Sequence, residues 1–160
     1  MSKSKVAILK TKPETVLKDI EQAMWIAGGQ DALPRDRGTI LKDNISWHFP
    51  YISANTTPWQ LEGTILALKD AGYEEISSIH NNTVVTNPYK GLAMNKLAPI
   101  YKKYEIEERY NFLPEDIRWV DYNPKARMRV LHKVYSEGIK IPEYFICKNI
   151  LYLPTLKTHI

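Results

Sequence analysis

Cysteine is nearly absent: the 160 residues hold one, Cys147. A lone thiol forms no intramolecular disulfide and cannot hold an iron–sulfur cluster through the usual four thiolates. Long apolar runs are missing too. None approaches the roughly 18 residues that a membrane-spanning helix needs. The apolar stretch Val6 to Leu9, after the basic Met1-Ser2-Lys3-Ser4-Lys5, is too short for a signal peptide. These absences point to the cytoplasm and away from a membrane. Glycine is scarce at seven residues, and the glycine-dependent signatures do not occur. Gly28-Gly29 follows a predicted helix instead of opening one, and there is neither a G-x-x-x-x-G-K-[ST] phosphate loop nor a G-x-S-x-G nucleophile elbow. Asn55-Thr56-Thr57 and Asn81-Asn82-Thr83 match the N-glycosylation pattern, but without a secretion signal they read as loop residues.

A strong excess of one charge is also lacking. The net charge of +4 comes from 22 Lys and Arg against 18 Asp and Glu. It hints only weakly at anionic partners. A tight nucleic-acid binder makes about 6–10 phosphate contacts from one face, whereas these cations are interleaved with acids, as in Lys102-Lys103-Tyr104-Glu105-Ile106-Glu107-Glu108-Arg109. The densest basic stretch, Lys125-Ala126-Arg127-Met128-Arg129, reads as a solvated strand face. Nucleic acid is therefore not the expected partner.

What the chain does have is alternation of element types. Lys5 to Lys10 is a short apolar run suited to a buried strand. Thr11-Lys12-Pro13-Glu14 has the residues of a helix start, and Val16, Leu17, Ile20, Ala23, Met24 and Ala27 form one apolar stripe that Gly28-Gly29 ends. Gly38 to Lys42 is a second strand. A long loop, 43–57, carries Trp47-His48-Phe49-Pro50-Tyr51, either a lid over a ligand or a loop folded onto the core; packing is favoured because aromatics bury large areas. Thr57-Pro58-Trp59-Gln60 is a helix start with a capping threonine and a first-turn proline, and Gly72 ends that helix. Glu75 to His80 is a third strand, Asn87-Pro88 caps another helix, and Pro99 kinks or splits it. Ile117 to Tyr122, the alternating Met128 to Tyr135, a hairpin return at Ile139 to Ile141, and Asn149 to Leu153 read as later strands. The expected fold is α/β: a mixed, mostly parallel, Rossmann-like three-layer sandwich with a late β-hairpin, spanning residues 1–160 as one domain.

Open α/β sheets bind ligands beyond the carboxyl ends of their strands. That rule selects Lys42, Asn44 and His48 after one strand, His80, Asn81 and Asn82 after the next, Lys157, Thr158 and His159 after the last, and the helix caps Thr57 and Asn87. His48, His80 and His159 suit metal binding or acid–base chemistry, although no two share a zinc-type spacing. His132 falls mid-strand and reads as a partly buried structural side chain. Lys42 and Lys157, with helix amino termini nearby, suit an anion. A phosphate- or carboxylate-bearing ligand is thus preferred and a divalent metal is the runner-up.

Several of these segments occur in a recognisable order. Ile40-Leu41-Lys42-Asp43-Asn44 stands where a Lys-Pro-Asn-like turn is common, with Asp43 in the proline's place. Thr56-Thr57-Pro58, a helix ending in Ala71-Gly72, and Pro154-Thr155-Leu156-Lys157-Thr158-His159 follow. In this order and spacing the chain resembles the domain-of-unknown-function family three-six-two over nearly its whole length. Members of that family often pair an α/β domain with a ferredoxin-like iron–sulfur module, and the family has no settled activity. The resemblance implies Lys42, Asn44, Thr57, Lys157 and His159 as site residues and a redox or metal link for the family. It also implies that residues 1–160 correspond to the amino-terminal portion of a longer domain, because the Lys-Thr-His turn is normally followed by further α/β structure. From that follows an expectation of self-association, or of a partner chain, at the incomplete carboxyl-terminal edge. Two readings stay open: a cofactor- or anion-binding α/β domain, and a non-catalytic binding module completed by a partner.

Overall fold

A computed structural model describes residues 4–126 and 128–158. The chain runs α1 (Val16–Ile26), α2 (Gly29–Ala32), β1 (Thr39–Asp43), α3 (Pro58–Asp70), β2 (Ile76–His80), α4 (Pro88–Met94), α5 (Ala98–Lys103), β3 (Glu107–Tyr110), β4 (Trp119–Tyr122), α6 (Leu131–Val134), β5 (Ile139–Pro142), a 3-10 turn (Glu143–Phe145) and β6 (Asn149–Leu153). β3, β2, β1 and β6 form one sheet in that order, every pair parallel, while β4 and β5 make a separate antiparallel pair. This is the mixed, Rossmann-like α/β fold that the alternation implies.

Side-chain alternation assigns the two faces of the parallel sheet. Leu41, Ile76 and Leu153 join Leu61, Ile65, Leu68, Leu97 and Tyr101 in the main core, on the helical side. Ile40 and Ile79 point the other way and meet Ile117, Tyr144 and Phe145, so the third layer comes from the 3-10 turn and the chain beside the antiparallel pair. Strands buried on both faces are the rule for parallel sheets, and every residue of β2 is buried.

The helix signals act where the sequence puts them. Thr57 Oγ1 accepts from the Gln60 amide at 3.3 Å and Asn87 Oδ1 from the Lys90 amide at 3.0 Å. Pro99 sits in the first turn of α5, so α4 and α5 are two helices. Gly72, at φ 82°, closes α3 with bonds from Gly72 N to Lys69 O and from Tyr73 N to Leu68 O, a Schellman arrangement that needs the left-handed conformation. Gly91 serves packing instead: a Cβ there would lie 2.8 Å from Ile45 Cγ2.

Three expectations fail. Residues 4–13 form no strand, with Val6 and Ile8 exposed; β6 fills the place beside β1, and an apolar hexapeptide without a partner has no ladder to join. Met128 to Tyr135 is not a strand either. It lies in the excursion between β4 and β5, and Leu131–Val134 is a helical turn whose His132 is exposed, not partly buried. β5 therefore pairs with β4 and not with that segment. The basic stretch is likewise no strand face: Lys125 and Arg129 lie in exposed bends, and Arg127 is outside the described residues.

Candidate functional site

β1 and β6 run side by side, yet the chain leaves β1 towards β2 on the other flank. A reversal of strand order of this kind opens a crevice at the carboxyl ends of a sheet. The 44–57 loop after β1 and the residues after β6 meet there. Thr56 Oγ1 donates to Leu153 O at 2.5 Å and accepts from Asn44 N at 2.7 Å. Thr155 Oγ1 donates to Asn55 O at 2.9 Å. Lys157 Nζ donates to Ser46 Oγ and, at 3.0 Å, to Ala54 O. Asn44 Nδ2 donates to Ala54 O at 2.8 Å.

Asn55 organises this loop from inside. Its Oδ1 accepts from Ser46 N at 2.8 Å, and its Nδ2 donates to Trp47 O, Phe49 O and Asn95 Oδ1 at 2.8–3.0 Å. The aromatics do not fill the loop's interior. Trp47, Phe49 and Tyr51 clasp one another at centroid separations of 5.1 and 6.0 Å and stay more than a third exposed. The favoured packing onto the core thus gives way to a surface cluster over a polar hub. Asn44, Thr57 and Lys157, expected to hold a ligand, are occupied in building this edge.

Lys42 is placed differently. Its side chain lines a cleft of about 140 Å³ with Asn81, Asn111, Trp119, Phe145, Ile150 and Tyr152, on the face away from the helices. Its Nζ donates to the Asp43 carbonyl at 2.8 Å. Among the described residues no carboxylate comes within ion-pairing distance of it. Burial lowers its pKa below the ordinary lysine value, and the nearby Asp43 charge opposes that shift. The two lysines therefore share an edge but not a pocket.

On the helical face, β1, β2 and β3 end in a buried polar cluster that sequence reasoning saw only in part. His80 Nδ1 lies 3.3 Å from Asp43 Oδ1, and its Nε2 lies 3.1 Å from Ser78 Oγ and 3.6 Å from Glu108 Oε1. Tyr101 OH donates to Asp43 Oδ2 at 3.1 Å. Ser78, His80 and Asp43 thus have the sequence of contacts of a hydrolytic triad, but Ser78 is 0% exposed, and a nucleophile that no substrate reaches does no acyl transfer. Burial raises the Tyr101 pKa well above the usual tyrosine value, with Asp43 reinforcing it. Burial also raises that of Glu108, with His80 opposing.

The Glu108 shift has a measurable consequence. Its ionised form is penalised in the fold, so the penalty is absent below the ordinary glutamate range and complete above the raised folded value. Glu108→Gln should match the wild type in stability at acid pH and gain on it as pH rises through that window. Urea denaturation at a series of pH values measures the difference. A constant offset would show that Glu108 titrates as in the unfolded chain.

His48 sits apart in the loop, its ring 4.5 Å from Phe49 and its Nδ1 buried without a partner among the described residues. His159 lies outside the described residues. Among the described residues, no three His, Cys, Asp or Glu side chains are grouped to hold a metal, and no helix is long and apolar enough to cross a membrane. Asn111 was missed because β3 was not recognised, and Trp119 because it opens β4, an expected strand, and does not follow the carboxyl end of one. Asp43 was read only as a turn residue, although a carboxylate ending a buried strand is a signal that could have found it. Set against protein-family models, curated proteins and solved structures, the chain matches none.

Proposed function

We propose that the chain is a ligand-binding α/β domain of the cytoplasm that takes a small anion, a phosphate or carboxylate group on an apolar body, at the carboxyl ends of its parallel strands. One observation carries this reading. Among the described residues, a half-buried ammonium without a carboxylate partner opens, beside the Asn81 and Asn111 amides, into a cleft walled by Trp119, Phe145 and Tyr152. Apolar walls with a few convergent polar groups are the usual make-up of a small-ligand site, and an unpaired buried cation favours an anion. The resemblance to family three-six-two agrees with a site at this edge, and a redox or metal link is proposed from it only by analogy.

Titration with inorganic phosphate, pyrophosphate and aromatic carboxylates, followed by Trp fluorescence and calorimetry, tests the reading. Lys42→Met should weaken binding about ten- to a hundredfold, the worth of a charge-assisted hydrogen bond. Affinity should fall as pH rises through the lowered Lys42 pKa, since only the ammonium form attracts the ligand. Unchanged binding in Lys42→Met, or a loss confined to Lys157→Met, would reject it.

A second reading, a non-catalytic module completed by a partner strand, draws on β6. It is an edge strand with Ile150 and Tyr152 exposed on its open face, and edges of that kind accept another strand. Concentration-dependent sedimentation, abolished by a lysine at Tyr152, would put this reading first.

A further inference from the structure

We propose that Lys42 is a nucleophile: its amine condenses with a small aromatic aldehyde seated in the cleft and holds it there as an imine. The inference concerns the cleft already described but uses the neutral amine in place of the ammonium, so it stands without the anion reading.

An amine attacks a carbonyl carbon only when its lone pair is free of a proton. A lysine approaches that state near neutral pH where its surroundings are apolar and no carboxylate restores the charge. Lys42 meets both conditions. It stands on an interior strand, with Tyr152 as its partner across the β1–β6 ladder and Ile79 of β2 in the same cleft. Among the described residues no carboxylate lies within ion-pairing distance of it. Its one hydrogen bond there runs to the Asp43 carbonyl, and a neutral amine donates to a carbonyl as an ammonium does. A second N–H and a lone pair are left for the cleft. Tyr152 is the one other titratable residue among the described residues lining that cleft. Asp43 and His80 lie in the neighbouring recess, which Lys42 also borders. Burial lowers the Lys42 pKa and the Asp43 charge opposes it, so more of this lysine is free amine than of an exposed one.

The cleft fits the other reactant. Its volume of about 140 Å³ is close to the roughly 150 Å³ of an apolar cavity that admits benzene. Trp119, Phe145 and Ile150 wall it, and aromatic walls favour a ring through offset and edge contacts. The Asn81 and Asn111 side chains bring amide donors to the same space, where they serve the oxygen that gains negative charge as the new bond forms. The step balances without a further reagent. The Nζ lone pair forms the C–N bond while the carbonyl π pair moves onto oxygen. Both amine hydrogens then leave with that oxygen as one water, and C=N remains. Apolar walls limit the water that would reverse the step.

Benzaldehyde, which carries no anion, is the probe, with cyanoborohydride to reduce imines and spare the aldehyde. Peptide mass spectrometry then maps the trapped benzyl groups. Short exposure at neutral pH should label Lys42 several-fold faster than any exposed lysine, and the urea-unfolded chain should lose that preference. The preference should also shrink as pH rises towards the ordinary lysine pKa, where exposed lysines become free amines too. Ile150→Trp, on the open edge strand, fills the cleft and should slow Lys42 to the rate of exposed lysines; if it fails to fold, the wild-type comparison with the unfolded chain still decides. Lys42→Arg keeps the charge, so phosphate should still bind it. Loss of phosphate binding in that variant, beside preferential labelling of the wild type, rejects the anion reading and leaves the imine standing. Equal rates across the lysines, a preference that survives unfolding, or full labelling of Lys42 in folded Ile150→Trp would overturn the proposal.

Discussion

Replacing Asn55 with alanine should cost the fold about 3 kcal/mol or more. The side chain is 1% exposed and serves the amide of Ser46, the carbonyls of Trp47 and Phe49, and the Asn95 side chain. Each buried polar group left without its partner costs about 1–3 kcal/mol, and water entering the vacated space recovers only part of that. Asn55→Asp separates the two halves of the role. Its oxygens still accept from the Ser46 amide, but a carboxylate then confronts two carbonyls and Asn95 Oδ1. This variant should therefore be at least as damaging at neutral pH and partly rescued by acid. Equilibrium urea unfolding gives the cost, and hydrogen exchange should show protection lost first over residues 44–57. A loss below about 1 kcal/mol would mean that the loop holds its form without the hub.

Leu61→Ala should cost about 2–5 kcal/mol, the range for emptying a fully buried leucine site. Leu61 is 0% exposed on α3, within the cluster that joins Leu41 and Leu153 of the sheet to Tyr101 of α5. Leu61→Met, which conserves volume, should cost less than about 1.5 kcal/mol. The contrast with Asn55 lies in where protection is lost. A cavity under the sheet lowers the global unfolding free energy, so exchange should quicken in β1, β2 and α3 together. Loss limited to α3 would show that the helix opens independently of the sheet.

These two residues also mark how far the sequence could be read. Leu61 follows from helical spacing behind the Thr57-Pro58 cap. β1, β2 and β6 follow from short apolar runs between turn residues, to within a residue at each end. β3 does not, because Glu107-Glu108-Arg109-Tyr110 is an edge strand whose pattern carries charge in place of alternation. Met128 to Tyr135 errs the other way: the alternation is there, but strand pairing depends on distant partners, and β4 supplies its hydrogen bonds to β5. Lys42 and His80 were legible through the rule about strand ends. Asn55 was not, since an asparagine at the heart of a loop looks the same in sequence as one in solvent. Asp43 acquires its meaning only from His80 and Tyr101, 37 and 58 residues further on.

The neighbour relation between β1 and β6 sets the order of events during synthesis. Thr39 and Asn149 meet across the ladder although 110 residues separate them. At a translation rate of about 5–20 residues per second, one flank of β1 waits roughly 5–20 s for its partner after leaving the ribosome. Throughout that interval Ile40 and Leu41 sit on a strand with an open flank, and the 44–57 loop lacks its anchor at Leu153. The nascent chain is then most exposed to edge-to-edge misassociation, and contacts this remote in sequence also slow refolding from denaturant. Slowing translation would lengthen that vulnerable period instead of helping the protein fold, and a chaperone that shields the flank of β1 would have its greatest effect before Asn149 is made.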